Sequence, residues 1–159
     1  MDRSIATLGV PGNGPFSQMY RDGMDLLERV SAYLGGPGRL EATLLSEDAN
    51  TAYHAESRAL TTLLLQIAAW LLMERAVAEG EISMDVVRLQ ASRTDLKAPA
   101  AVPSADHPDG LKALRAEAEA LRDAVCARAE YLLAAANANG ERPAPTGRPH
   151  LRLVHQTPE

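Results

Sequence analysis

The chain has little with which to staple a fold or run redox chemistry: its one cysteine, Cys126, cannot form an intramolecular disulfide and fits a reducing compartment. Aromatic residues are also scarce, at 4%, and alanine is abundant, a mix that favours packed helices over sheets. A basic excess is missing. The formal net charge of -5 and a pI near 5.4 argue against a general nucleic-acid binder or a protein drawn to anionic lipid, because either wants a positive footprint. Met1 to Gly14 carries a lone basic residue, Arg3, and no apolar run of the kind found at the centre of an export signal. The most apolar window, Ala59 to Met73, contains Thr61, Thr62 and Gln66, so it falls short of the roughly 20 apolar residues that span a bilayer. These absences predict a cytoplasmic protein with no membrane and no nucleic-acid partner.

Motifs for chemistry are equally thin. Gly9, Gly12 and Gly14 lack the spacing and the preceding strand of a dinucleotide fold, and no phosphate-loop Lys-Ser/Thr follows. His54, His107, His150 and His155 are scattered, with no i, i+4 pair and no cysteine cluster for zinc. Neither Ser57 nor Cys126 sits in a motif that aims a base at a nucleophile. No catalytic residue, cofactor site or metal ligand is assigned, and the chain reads as a non-enzyme.

What is present is helical periodicity within a length, 159 residues, typical of one domain. Pro15 opens a segment in which Phe16, Met19, Tyr20, Gly23, Leu27, Val30 and Leu34 recur along one helical face, and Gly35, Gly36 and Pro37 stop it. The segment from Gly38 to Leu45 stays undecided. Ser46, backed by Glu47 and Asp48, then caps a second helix that meets no Gly or Pro before Gly80. At 1.5 Å per residue this helix runs about 45 to 50 Å against about 30 Å for the first, so another element must cover its excess. A short helix after Ser83, carrying Met84, Val86, Val87 and Leu89, supplies part of that cover. Lys97 to His107 reads as a mobile connector. Asp106 and Pro108 restart a third long helix with the stripe Leu111, Leu114, Ala118, Leu121, Val125, Ala129 and Leu132, stopped by Asn139 and Gly140. The expected organisation is a flexible N-terminus over 1–14, an all-α antiparallel three-helix bundle over 15–140 with a short extra helix after the long second one, and a disordered Pro- and Arg-rich C-terminal tail over 141–159.

The second helix is apolar on more than one face. Leu60, Leu63, Leu64, Ile67, Trp70 and Leu71 make one broad face suited to the bundle core. Leu65 and Leu72, seven residues apart, lie on another side with Ala68 and Ala69. They either meet the third helix inside the bundle or form a homodimer seam.

The stretch from Tyr53 to Val77, with Glu56-Ser57, Leu60-Thr61-Thr62, Gln66, Trp70-Leu71-Leu72 and Arg75-Ala76 in that order, resembles the signature helix of the alphaproteobacterial RcdA family, regulators of CtrA degradation. Phe16, Tyr20, Gly23, Leu26, Leu27 and Tyr33-Leu34 are similar to the family's opening segment, and Gly80-Glu81-Ile82 to its turn, so the likeness covers Pro15 to about Leu89. Leu63, Leu65 and Ala69 stand where the family usually has arginine, methionine and serine.

The resemblance implies a non-enzymatic, dimeric three-helix adaptor for regulated proteolysis. It would act with the protease ClpXP primed by CpdR, and with PopA and cyclic di-GMP, so that CtrA and other substrates are degraded during the cell cycle. The implied address is the cytoplasm, with the cell pole as a further site. A bundle with a tail can tether two proteins without an active site. The candidate partner or dimer surface comprises Glu56, Ser57, Thr61, Thr62, Leu65, Gln66, Trp70, Leu72 and Arg75, although Trp70 has a competing place in the core and Glu56 and Arg75 one in local ion pairs. In the tail, Leu151, Arg152, Leu153 and Val154 form either a short docking motif or part of an inert end. A structural dimerisation module and a helical transcription regulator are the alternative functions, the latter disfavoured by the acidic balance.

Overall fold

Helix formation in this chain starts and stops where its Pro, Ser and Gly residues dictate. The computed structural model describes residues 14–91 and 104–140. Helix α1, Pro15–Gly35, begins with Pro in its first turn behind an extended Gly14. The segment that the sequence leaves undecided contains a further helix, α2, Pro37–Ala42. Pro37 pre-sets its first turn, and Asn50 donates to the Ala42 carbonyl at 2.6 Å, satisfying a carbonyl at its end.

Helix α3, Glu47–Ala78, is capped as expected, the Ser46 hydroxyl accepting from the Ala49 amide at 3.3 Å. It ends at a turn in which Gly80 takes φ +76°, the left-handed region glycine enters without a Cβ penalty. Helix α4, Met84–Ala91, follows, and its Val87 is buried against the end of α3. Helix α5, Asp109–Gly140, starts from a folded turn. There the Ser104 amide donates to His107 Nδ1 at 3.2 Å, the Ser104 hydroxyl accepts from the Asp106 amide, and the His107 ring is buried. The end of the expected mobile connector is therefore ordered by its own hydrogen bonds, while residues 92–103 lie outside the described residues. The expectations of a flexible start and a disordered tail also lie outside them, apart from Gly14.

The all-α three-helix bundle is present, with no strand among the described residues. Its directions are read from side chains that meet. Arg29 pairs with Glu117 and Tyr33 lies against Gly110, while Arg128 sits over Phe16, so α1 runs antiparallel to α5. Tyr20 meets Arg75, and Gly23 approaches Leu71, so α1 is antiparallel to α3 as well. By contrast, Glu56 pairs with Arg115 and Glu74 with Arg128, which makes α3 and α5 parallel to each other. With α1 antiparallel to both, the other two long helices must point the same way, and α5 accordingly starts beside the first half of α3 rather than beside its end.

The core is the face the periodicity marks. Leu60, Leu64, Ile67, Trp70 and Leu71 of α3 pack with Leu26 and Val30 of α1 and with Leu111, Ala118 and Val125 of α5. Burying each of the large aliphatic side chains contributes about 1.5–3 kcal/mol. Leu63 belongs here too, at 6% exposure, so a leucine at this position extends the core.

Candidate functional site

Helix α3 is straddled by α1 and α5, so only one long strip of it reaches solvent. That strip contains Arg58, Thr61, Thr62, Leu65, Ala69 and Leu72, spaced by one, three or four residues along one side of the helix. Leu65 is 58% exposed and Leu72 51%. The reading in which they meet the third helix is thereby set aside: α5 packs on the opposite face, where Glu56 pairs with Arg115 and Glu74 with Arg128. Among the described residues nothing covers these two leucines, and each is more than half exposed.

The hydroxyls on this face are already used. Thr61 donates to the Ser57 carbonyl at 2.8 Å, Thr62 to the Arg58 carbonyl at 2.9 Å, and Ser57 to the Tyr53 carbonyl at 2.8 Å. With their protons committed to the helix backbone, the two threonines offer methyl groups and lone pairs, and the strip is more apolar than its residue names suggest. Arg75 closes one end. It donates to Glu79 at 2.8 Å and lies 5.4 Å from the centre of the Tyr20 ring, and the Glu79 carboxylate, with Tyr20 in support, raises its pKa further. Gln66 is half-buried at the edge.

Beside the strip, α1 and α3 leave an open groove of about 670 Å³. Leu27, Val30, Leu34 and Leu64 line it together with Met24, Glu28, Ser31 and Thr61. The α1 side of this groove is not marked by any motif in the sequence. Its signal is modest: the small residues Ser31 and Ala32 interrupt the polar face of α1 beside Leu27 and Leu34.

Two residues of the candidate partner surface are inside the bundle, Trp70 in the core place that its spacing also offered. Glu56 is 2% exposed, and its Oε1 accepts from Arg115 Nη1 at 2.9 Å. Trp70 is 2% exposed and belongs to the core. Both are corrected from partner contacts to internal roles, because α5 covers the side of α3 that carries them. A second internal pair, Glu74 with Arg128, lies further along the bundle. Sequence alone hides both pairs, since their partners are 59 and 54 residues apart in the chain. The tail residues Leu151, Arg152, Leu153 and Val154 lie outside the described residues.

On the far side of the bundle, Arg29 joins Asp25 at 2.9 Å and Glu117 across the α1–α5 junction. The guanidinium holds the Glu117 carboxyl below its usual range, and both carboxylates raise the pKa of Arg29. These groups are half-exposed, so each pair is worth at most about 1 kcal/mol. Among the described residues no group of three or more His, Cys, Asp and Glu side chains could hold a metal ion. The arrangement offers a rigid, partly apolar surface for another macromolecule.

The comparisons with known proteins agree with this shape. The family described as "protein of unknown function (DUF1465)" matches residues 13–152. The crystal structure of RcdA from Caulobacter crescentus CB15 is similar to this chain with a TM-score of 0.61 at 35% identity, covering 76% of this chain and 91% of that one. No curated protein matches at a comparable level.

Proposed function

The chain belongs to the RcdA-like family of DUF1465 proteins, and from that premise we propose that it is a non-enzymatic adaptor for regulated proteolysis. In this reading it helps ClpXP, primed by CpdR, to degrade CtrA and other substrates during the cell cycle, together with PopA and cyclic di-GMP, in the cytoplasm and at the cell pole. The single observation that carries the reading is the uncovered Leu65–Leu72 strip on a helix held rigid by two neighbours. Large apolar side chains exposed together on one helix mark an interaction surface more often than a solvent face. An adaptor needs surfaces of fixed shape and no reactive group, because tethering works by raising effective concentration.

The same strip fits a second copy of the chain. In an antiparallel α3 pair related by a two-fold axis between Ala68 and Ala69, Leu65 falls opposite the partner's Leu72 and Arg58 opposite the partner's Glu79. The small alanines at the crossing permit close approach, and the contact is self-complementary as a two-fold axis requires.

The test is CtrA turnover by ClpXP with CpdR, PopA and cyclic di-GMP present, with and without the full chain. Faster turnover only when the chain is added is the expected result; no change at any concentration of folded protein defeats the adaptor reading. The double variant Leu65→Glu, Leu72→Glu tests the seam separately. It should sediment as a folded monomer where the unaltered chain is a dimer, and a dimer that survives both substitutions refutes this strip as the seam.

A further inference from the structure

At the junction of α1, α3, α4 and α5 lies a cavity of about 30 Å³, lined by Trp70 and Glu74 and by Phe16, Met84, Val87 and Arg128 among others. Trp70 and Glu74 are one helical turn apart, and each is more than nine-tenths buried. The Trp70 indole nitrogen and the Glu74 Oε2 have no hydrogen-bond partner among the described residues, while Glu74 Oε1 is engaged by Arg128. A buried donor and a buried acceptor left apart are costly, because each has given up its hydrogen bond to water without a replacement.

We infer that this cavity is a binding site for one water molecule, which accepts from the Trp70 indole N–H and donates to Glu74 Oε2. Size and charge select that ligand. The space exceeds the roughly 10–15 Å³ that a water needs and falls far below the roughly 300 Å³ at which pockets for organic ligands begin. Glu74 and Arg128 already neutralise each other, so a cation has no net charge to balance. What is needed is a neutral group that donates and accepts at once. Met84 and Val87 of α4 wall the site, so exchange of the water reports on the opening of α4.

Trp70 is the only tryptophan, so the full chain labelled with nitrogen-15 gives a single indole N–H signal. Cross-relaxation from solvent to that proton should be present, with opposite signs in the laboratory and rotating frames, as a long-lived bound water requires. Val87→Met, which places more side chain in the cavity, should abolish the signal while leaving the fold intact. A crystal structure should place one ordered water about 2.7–3.2 Å from both atoms. A direct Trp70–Glu74 hydrogen bond with no water between, or absence of the cross-relaxation in the unaltered chain, overturns the proposal. These readouts involve no protease and no second copy, so they stand or fall apart from the adaptor reading.

Discussion

Removing Arg115 should harm this protein more than removing Glu56, although the two form one pair. Their side chains are 5% and 2% exposed, and Arg115 reaches Glu56 through Nη1 at 2.9 Å and Glu119 through Nε at 3.0 Å. Breaking a buried pair from one side costs about 3–5 kcal/mol, because the charge left behind stays buried without compensation. Arg115→Met leaves the Glu56 carboxylate with no partner among the described residues and should show that cost in full. Glu56→Leu leaves Arg115 its bond to the half-exposed Glu119, so its cost should be smaller by roughly 1–2 kcal/mol, the scale of a hydrogen bond to a charged group. The double variant Glu56→Leu, Arg115→Met removes both charges and should lie within about 1 kcal/mol of the unaltered chain, since apolar replacement of a buried pair is often neutral. Urea melts followed by circular dichroism, at one fixed protein concentration, measure all three. For a chain of this size about 4 kcal/mol corresponds to a fall in Tm of roughly 8–16 °C. Single variants within about 1 kcal/mol of the parent, or a double variant whose loss is the sum of the singles, would refute the reasoning.

Gly38 and Gly110 hold Tyr33 between them: a Cβ on the first would lie 2.6 Å from the Tyr33 ring and 2.7 Å from the Tyr53 hydroxyl oxygen, and on the second 2.7 Å from the other edge of the Tyr33 ring. Gly110→Ala and Gly38→Ala should each destabilise by about 1–3 kcal/mol in urea melts, the usual cost of overpacking, and a stabilised alanine variant would show that the ring shifts freely. Burial pushes the Tyr33 phenol above its ordinary range, with its 2.6 Å hydrogen bond to Glu41 adding to the shift, and burial does the same at Tyr53. A pKa raised by folding contributes stability that is present below the unfolded value of about 10 and lost as pH rises through the folded values. Urea midpoints should therefore hold to about pH 9.5 and fall above it, and Tyr33→Phe should flatten the decline; a midpoint indifferent to pH up to about 11.5 would contradict the sign. Ser46→Ala removes the cap on α3 and should cost about 1 kcal/mol, with Ser46→Asp restoring most of it; an alanine variant that melts with the parent would mean the cap is dispensable.

Much of the bundle is legible along the chain because helix signals are local. Pro15, Ser46 and Gly80 act on the turn they occupy, and the spacing of Leu60, Leu64, Ile67 and Leu71 marks a buried face whichever neighbour covers it. The short helix α2 is less legible, since its six residues present no repeat of the apolar pattern and its stop depends on Asn50, a residue of the next helix. The partner role offered for Glu56 fails for a related reason, and for Trp70 its core alternative is the one that holds. Glu56 is drawn inward by an arginine far along the chain, a pairing that no local spacing encodes, and Trp70 sits on the side that α5 covers.

Sequence by itself determined that this chain is helical, where its long helices begin and end, and which face of α3 is apolar, because those properties depend on neighbours within a few turns. Tertiary structure alone decided that α3 and α5 run parallel, that Leu65 and Leu72 remain uncovered while Trp70 does not, and that Glu56 and Glu74 are neutralised inside. Each of those depends on which helix lies against which, an arrangement made by contacts between residues distant in the chain.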